Sequence, residues 1–274
     1  EAHKDSDEYS LSHEFYDAYK TYRLKLCSDA DHPEQQDLDD LTSQLKGIAF
    51  HVVKLRLFSP NEELEDISTT DLKYLLVPYL LAEVTAATRD MDARYAALKR
   101  AMLYWRAFAS DCERLKVANS DDLQAIDREQ ALDAASKREE KIARFKRSKE
   151  LDDKVAYLFG KKLEVLGDEY HWGAGAAFDE DMERDLILAL VTRAVASIPD
   201  SLSSAEQELP LLEMMMARGG PGKGPREEPP PPEKPYIVRI QDRAELERIY
   251  REMVFQNPHA LPTMTLEEHA EMEM

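Results

Sequence analysis

The sequence has few cysteines and no long apolar run. Two of its 274 residues are cysteines, Cys27 and Cys112, and each lies in a helical apolar pattern. This usage is typical of reduced thiols in a cytoplasmic protein and argues against a disulfide framework. The longest apolar run, from Tyr74 to Ala82, is far shorter than the roughly 20 residues that a membrane span requires. No basic-then-apolar signal segment opens the sequence, so we expect a cytoplasmic protein with no membrane partner.

Positive charge is also scarce. The chain carries 55 acidic and 36 basic residues, which gives a formal net charge of -19. An average surface this acidic repels polyanions, because their electrostatic binding depends on clustered lysines and arginines. We therefore expect no nucleic-acid partner.

The motifs of catalysis and cofactor binding are missing as well. The seven histidines are scattered, and none lies with another histidine, cysteine or carboxylate at the spacing of a zinc site. Gly173 and Gly175 begin a dinucleotide fingerprint, but Phe178 stands where the third glycine belongs. Gly222 and Lys223 lack the other residues of a phosphate-binding loop. We predict no metal, no cofactor and no enzymatic activity.

The first two hundred residues do contain a clear helical periodicity. Apolar residues recur every three or four positions, the spacing that places them on one face of an α-helix. Ser68 to Asp71 can cap a helix start, and Pro78, which lacks an amide hydrogen, predicts a kink or a bulge. Helices are expected over residues 11–26, 38–55, 72–80, 92–115, 121–162 and 178–196. The predicted fold is all-α, an array of antiparallel helical hairpins that is tetratricopeptide-like or 14-3-3-like.

The composition changes near Pro199. Glycine and proline become frequent beyond it, with four consecutive prolines from Pro229 to Pro232, and such a sequence favours extended, unpaired backbone. We divide the chain into a helical partner-binding domain over residues 1–200, a Pro/Gly-rich linker over 201–235 and a largely disordered tail over 236–274. Short apolar patterns in the tail are typical of docking motifs.

One short stretch is basic against this acidic background. Residues 137–150 contain seven basic and three acidic side chains, a local charge of +4. On a helix, Arg138, Lys141, Ile142, Phe145 and Lys149 fall within an arc of roughly 80°, so cationic and apolar side chains share one face. Such a face is either solvated and stabilised by internal ion pairs, or it docks an acidic partner surface. The candidate partner-binding residues are Arg138, Lys141, Ile142, Arg144, Phe145, Lys146 and Lys149.

Three segments resemble signatures of one known family. They are Ser68–Pro78 (STTDLKYLLVP), Arg138–Leu151 (REEKIARFKRSKEL) and a tail motif. The tail motif consists of Leu261, Pro262, Thr263, Met264 and Thr265. The family is that of the type 2A phosphatase-associated proteins, also known as alpha-four or immunoglobulin-binding protein one. The resemblance extends over nearly the whole chain.

The resemblance implies a function that the residues alone do not show. Members of this family are non-enzymatic helical adaptors that bind catalytic subunits of type 2A, 4 and 6 serine/threonine phosphatases and stabilise or sequester them in TOR signalling. The family's phosphatase-contacting arginine and lysine correspond to Arg138 and Lys141. The resemblance also implies ubiquitin or a ubiquitin ligase as a partner, although Gln44–Val53 carries no recognisable ubiquitin-binding pattern.

A second function is compatible with the same residues. A helical phosphopeptide-binding adaptor would use the basic helix Lys137–Lys149 to hold phosphate. The two functions are separable, because free phosphate competes with a phosphopeptide for cationic side chains, whereas a large protein interface is less sensitive to it.

Overall fold

The computed structural model describes residues 2–27, 33–59, 61–128, 133–166 and 178–217. Every regular element in these ranges is helical, which confirms the all-α prediction. Two short 3₁₀-helices, Leu64–Asp66 and Lys73–Leu76, lie between the second and fourth α-helices. The α-helices of the described residues are α1 (Ala2–Leu26), α2 (Gln35–Leu55), α3 (Thr69–Leu72), α4 (Val77–Ala86), α5 (Met91–Arg114), α6 (Ser120–Asp127), α7 (Ala134–Leu166) and α8 (Glu180–Ala217).

The first two predicted helices are confirmed, and they contact each other as α1 and α2. The predicted stripe of α1 is buried, including Leu11, Phe15 and Tyr22. The α2 helix begins with a capping box, in which Glu34 and Asp37 each accept the other's backbone amide hydrogen. The gap predicted between the helices over residues 11–26 and 38–55 therefore contains a helix start that the local sequence stabilises.

The third predicted segment begins at Ser68, whose hydroxyl accepts the amide hydrogen of Asp71 at 3.1 Å. The chain does not continue as one helix with a kink at Pro78. It changes to a 3₁₀-helix over Lys73–Leu76 and restarts as α4 at Val77, so Pro78 lies in the first turn of a new helix. The missing amide hydrogen is tolerated there, because the first amide groups of a helix have no intrahelical partner.

The fourth predicted helix is confirmed as α5. The carboxylate of Asp90 caps its start by accepting the amide hydrogen of Asp92 at 3.0 Å. Its apolar face, which includes Leu98, Trp105 and Phe108, is buried. The helix contacts α4 on one side and α8 on another.

The prediction of one long helix over residues 121–162 is wrong. The region contains two helices, α6 and α7, because Arg128 leaves α6 with extended backbone at a φ of -70° and a ψ of 118°. The α7 helix has its own start signal, since the Asp133 carboxylate accepts the amide hydrogen of Ser136 at 2.7 Å. The dense charge of this stretch weakens the apolar periodicity that would otherwise reveal the break.

The last helix runs past the predicted domain boundary at residues 200/201. The α8 helix continues to Ala217 with Pro199 inside it, so the first part of the predicted linker belongs to the helical domain. Leu202, Ala205 and Leu212 lie beyond the proline and are buried in the core. Their burial favours a continued helix despite the hydrogen bond that Pro199 removes. The rest of the linker and the tail, residues 218–274, lies outside the described residues.

The helices form an array in which neighbours in sequence contact each other. The pairs α1–α2, α4–α5 and α7–α8 are in contact, and α8 also contacts α5 and α6. One apolar core runs through the array. The α8 helix is long and apolar enough to span a bilayer by length and composition, but 61% of its apolar window is buried inside the domain, as in a helix that forms the core of a helical array.

Candidate functional site

One side of α7 exposes both cationic and apolar side chains. Arg138, Lys141 and Lys149 are exposed, and Ile142 and Phe145 are 46% and 69% exposed. We call these five residues the basic-apolar face. Within the described part of the chain, none of its three cations forms an ion pair. The face predicted from helical spacing is therefore accessible to a partner.

Arg144, predicted as a partner-binding residue, does not belong to this face. It is buried, with its guanidinium 3.2 Å from Asp200, 3.0 Å from Glu140 and 3.7 Å from Asp122. Successive residues of a helix point about 100° apart, so Arg144 points inward beside the exposed Phe145. Arg144 therefore connects α6, α7 and α8 and, contrary to the prediction, is not available to a partner.

Asp122 is the centre of the contacts on the inner side. Its carboxylate is buried, with a relative exposure of 3%, and accepts a hydrogen bond from Arg147 at 2.6 Å. Arg144 lies on the same carboxylate oxygen at 3.7 Å. Two cations of the basic stretch are thus paired with the same residue of α6. Sequence reasoning missed Asp122, because nothing in the local pattern links it to arginines more than twenty positions away.

Glu140 also contacts Arg144, and we call Asp122, Glu140, Arg144 and Arg147 the inner cluster. It accepts hydrogen bonds from Arg128 at 2.7 Å and from Arg144 at 3.0 Å. Desolvation raises the pKa of the Glu140 carboxyl, but the hydrogen bond from Arg128 and the charges of Arg128 and Arg144 outweigh it. Its pKa therefore lies below the ordinary value, and the Glu140 carboxyl is ionised at neutral pH.

The second half of α7 is fixed to the core by apolar and ionic contacts. Val155 and Leu158 are buried. Lys162 is buried and donates to Glu183 of α8 at 2.9 Å, with its ammonium 5.6 Å from the ring centroid of Phe178. Burial lowers the pKa of Lys162, while Glu183 opposes that shift.

The remaining predicted site residues divide between the described and the undescribed parts of the chain. Lys146 is exposed on the flank of α7. In Gln44–Val53, Phe50 and Val53 are 65% and 76% exposed. The tail motif over residues 261–265 lies outside the described residues. In the ranges that the structure describes, no group of three or more His, Cys, Asp or Glu side chains could hold a metal ion.

The described residues define an all-α array whose long α7 helix has an internally paired basic side and an open basic-apolar face. The chain belongs to the TAP42-like family, whose sequence profile matches residues 11–274. This confirms the resemblance seen in the sequence motifs.

Several curated proteins are similar to the chain. It is 34% identical over 171 residues to the PP2A regulatory subunit TAP46 of Oryza sativa subsp. japonica, and the match covers 59% of this chain and 41% of that protein. It is 28% identical over 202 residues to the serine/threonine-protein phosphatase 4 regulatory subunit ppfr-4 of Caenorhabditis elegans, covering 68% and 58%. The chain thus spans less than two thirds of the length of these relatives.

A solved structure shows the same fold. The structure of the Tap42 alpha4 subunit matches with a TM-score of 0.58 over 75% of this chain and 99% of that chain. The sequence identity is 22%, so this likeness concerns the fold alone.

Proposed function

We propose that the chain is a non-enzymatic regulator that binds catalytic subunits of type 2A-family serine/threonine phosphatases and stabilises or sequesters them. Membership of the TAP42-like family supports the proposal, as do relatives named as regulatory subunits of PP2A and of phosphatase 4. The observation that carries it is the basic-apolar face of α7, where Arg138 and Lys141 have no ion-pair partner among the described residues.

The geometry of this face favours a protein partner. Arg138 and Lys141 are three positions apart, so both can reach carboxylates on one opposing surface. Phe145, the most exposed member of the face at 69%, can fill an apolar pocket of that surface. Water excluded around such an anchor strengthens the neighbouring ion pairs. We expect Arg138 and Lys141 to provide specificity and Phe145 and Ile142 to provide buried area.

The family resemblance extends the proposal further. It adds the type 6 catalytic subunit as a partner and TOR signalling as the setting. The cysteine usage supports the cytoplasm as the location. Ubiquitin or a ubiquitin ligase is a further proposed partner. The exposed Phe50 and Val53 leave one side of Gln44–Val53 accessible to it.

Charge reversal tests the site. Arg138→Glu combined with Lys141→Glu should weaken binding to a purified type 2A catalytic subunit by about 100-fold, because two attractive contacts become repulsive. Isothermal titration calorimetry measures the affinity, and circular dichroism checks that helicity is unchanged. The matched control is Lys46→Glu with Lys54→Glu, which makes the same change in net charge at exposed positions of α2. Full affinity in the Arg138/Lys141 double variant would contradict the site.

The same preparation separates the proposal from the phosphopeptide-binding alternative. Millimolar inorganic phosphate should leave the phosphatase complex intact if the interface is a large protein surface. Displacement by phosphate at constant ionic strength would favour a phosphopeptide site on Lys137–Lys149. Phosphatase activity of the chain alone would contradict the non-enzymatic part of the proposal.

A further inference from the structure

A cleft of about 130 Å³ lies where α1, α4, α7 and α8 meet. No residue of the basic-apolar face lines it. Leu76, Leu80 and Leu190 supply apolar lining, and most of the other lining residues are polar. The cleft has room for a small polar group and a short apolar segment next to it.

Two arginines converge on this cleft from different helices. Arg23 of α1 and Arg193 of α8 both line it. Tyr19 lines the cleft with both arginines. Burial raises the pKa of its hydroxyl, and the charges of both arginines oppose that shift. Asp152 of α7 contacts Nε of Arg193 and offsets part of its charge. Glu83 is a second carboxylate whose charge acts on Tyr22 and Tyr79 of the lining, so the site offers the directed donors of two guanidinium groups and not a net positive charge.

Hydroxyl groups add hydrogen-bond donors to the same site. The Tyr79 hydroxyl lies 3.1 Å from Oγ of Ser197, which itself donates to the carbonyl of Ala194 at 2.8 Å, and Tyr79 and Ser197 line the cleft with Tyr22. Burial raises the pKa of Tyr22 and of Tyr79, and the charge of Glu83 raises both further. These phenols therefore keep their protons at neutral pH, and each can donate to an anion.

We propose that this cleft binds the phosphorylated side chain of a peptide, with Arg23 and Arg193 holding the phosphoryl oxygens and the hydroxyl of Tyr79 completing the contact. Arginine presents donors in a planar fork that matches phosphate geometry. The neighbouring leucines accept the apolar part of the peptide. The inference goes beyond the proposed phosphatase-binding function and does not depend on it.

The charge of the whole chain favours a peptide over other carriers of phosphate. Nucleic acids and anionic membranes present many phosphates, and a surface with 55 acidic and 36 basic residues repels them at long range. A peptide with one phosphorylated residue places its charge inside the cleft and little of it elsewhere. Inorganic phosphate shares the chemistry but lacks the apolar part.

Cys27 allows the cleft to be probed directly. It is exposed and lines the cleft, whereas Cys112 is buried. Burial also raises the pKa of the Cys112 thiol well above its ordinary value, so a maleimide should label Cys27 alone. Labelling of Cys27 is measured without ligand, with inorganic phosphate, and with a phosphoserine peptide library and its unphosphorylated counterpart.

The expected result is selective protection of Cys27. The phosphorylated library should slow labelling at a lower concentration than inorganic phosphate, and the unphosphorylated library should not slow it. Arg23→Gln combined with Arg193→Gln should raise the concentration required by about tenfold or more. Asp152→Asn should lower it by about two- to fivefold, because it removes the carboxylate that competes for Arg193.

Three outcomes would overturn the proposal. They are equal protection by the unphosphorylated library, unchanged protection in the double arginine variant, and protection by inorganic phosphate at the same concentration as by the phosphorylated library.

Two controls show whether a loss of protection reflects misfolding. They are Arg193→Lys, which keeps the positive charge, and the thermal unfolding midpoint. The Arg23/Arg193 variant should keep full affinity for the phosphatase, and Arg138→Glu with Lys141→Glu should keep Cys27 protection, so the two proposals fail separately.

Discussion

Two sides of α7 carry similar side chains in opposite environments. On the inner side, Arg144 and Arg147 are paired with Asp122, which is buried. On the outer side, Arg138 and Lys141 are exposed, and Phe145 is exposed beside them. In this half of the helix, therefore, the charged Arg144 lies inside and the apolar Phe145 outside. The comparison shows that helical phase, and not residue type, decides which cations of the basic stretch support the fold and which are open to a partner.

The largest effect is expected from Asp122→Ala. This variant leaves Arg144 and Arg147 without their shared carboxylate in a buried position, and we expect a loss of about 3 kcal/mol in the free energy of unfolding. Urea denaturation followed by circular dichroism measures it. Asp121→Ala is the matched control, because Asp121 is 66% exposed and lies 3.6 Å from Arg147. Its loss should stay below about 1 kcal/mol, and equal losses in the two variants would contradict the special role of Asp122.

Alanine substitutions on the two sides should separate stability from binding. Leu158→Ala removes a buried side chain and should lower the free energy of unfolding by about 3 kcal/mol while the affinity for the phosphatase is unchanged. Phe145→Ala should do the reverse, with stability changed by less than about 0.5 kcal/mol and binding weakened by about 2 kcal/mol. Urea denaturation and calorimetric titration of both variants test this. A loss of stability in Phe145→Ala would place that ring in the core.

The smallest effect concerns pH. The pKa of Glu140 is below its ordinary value in the folded protein. At a pH between the folded and the ordinary pKa, the unfolded chain therefore binds more protons than the folded one. The stabilisation is present above the ordinary carboxyl pKa and is lost as the pH falls through the folded value. Glu140→Gln should therefore flatten the acid side of the stability curve, measured by urea denaturation between about pH 3 and pH 6. Glu139→Gln removes the same charge from the exposed side, and an equal flattening there would contradict the assignment to the inner cluster.

Much of the fold could be predicted because its signals are local. The apolar faces of α1, α2 and α5 and the cap at Ser68 depend on residues three or four positions apart. The family resemblance depends on short motifs as well. The exposed basic-apolar face was predicted from helical spacing alone, since that spacing determines which side chains share a face.

The errors arose where distant residues decide the outcome. Pro199 marks a change in composition, yet α8 continues through it because Leu202 and Leu212 find partners in the core. Arg144 has the same chemistry as Arg138 in the sequence, but α6 places Asp122 beside it. The cleft between α1, α4, α7 and α8 joins residues as far apart as Arg23 and Arg193. Such pairings come from the packing of helices on each other, which no local pattern encodes.

The sequence by itself determined the helical class, most helix starts and the open face of α7, because helix formation and helical phase depend on near neighbours. The tertiary structure alone decided the extent of α8, the burial of Arg144 and the convergence of two arginines on one cleft. These features depend on contacts between helices, and a buried charge or a continued helix is stable only where such a contact compensates its cost.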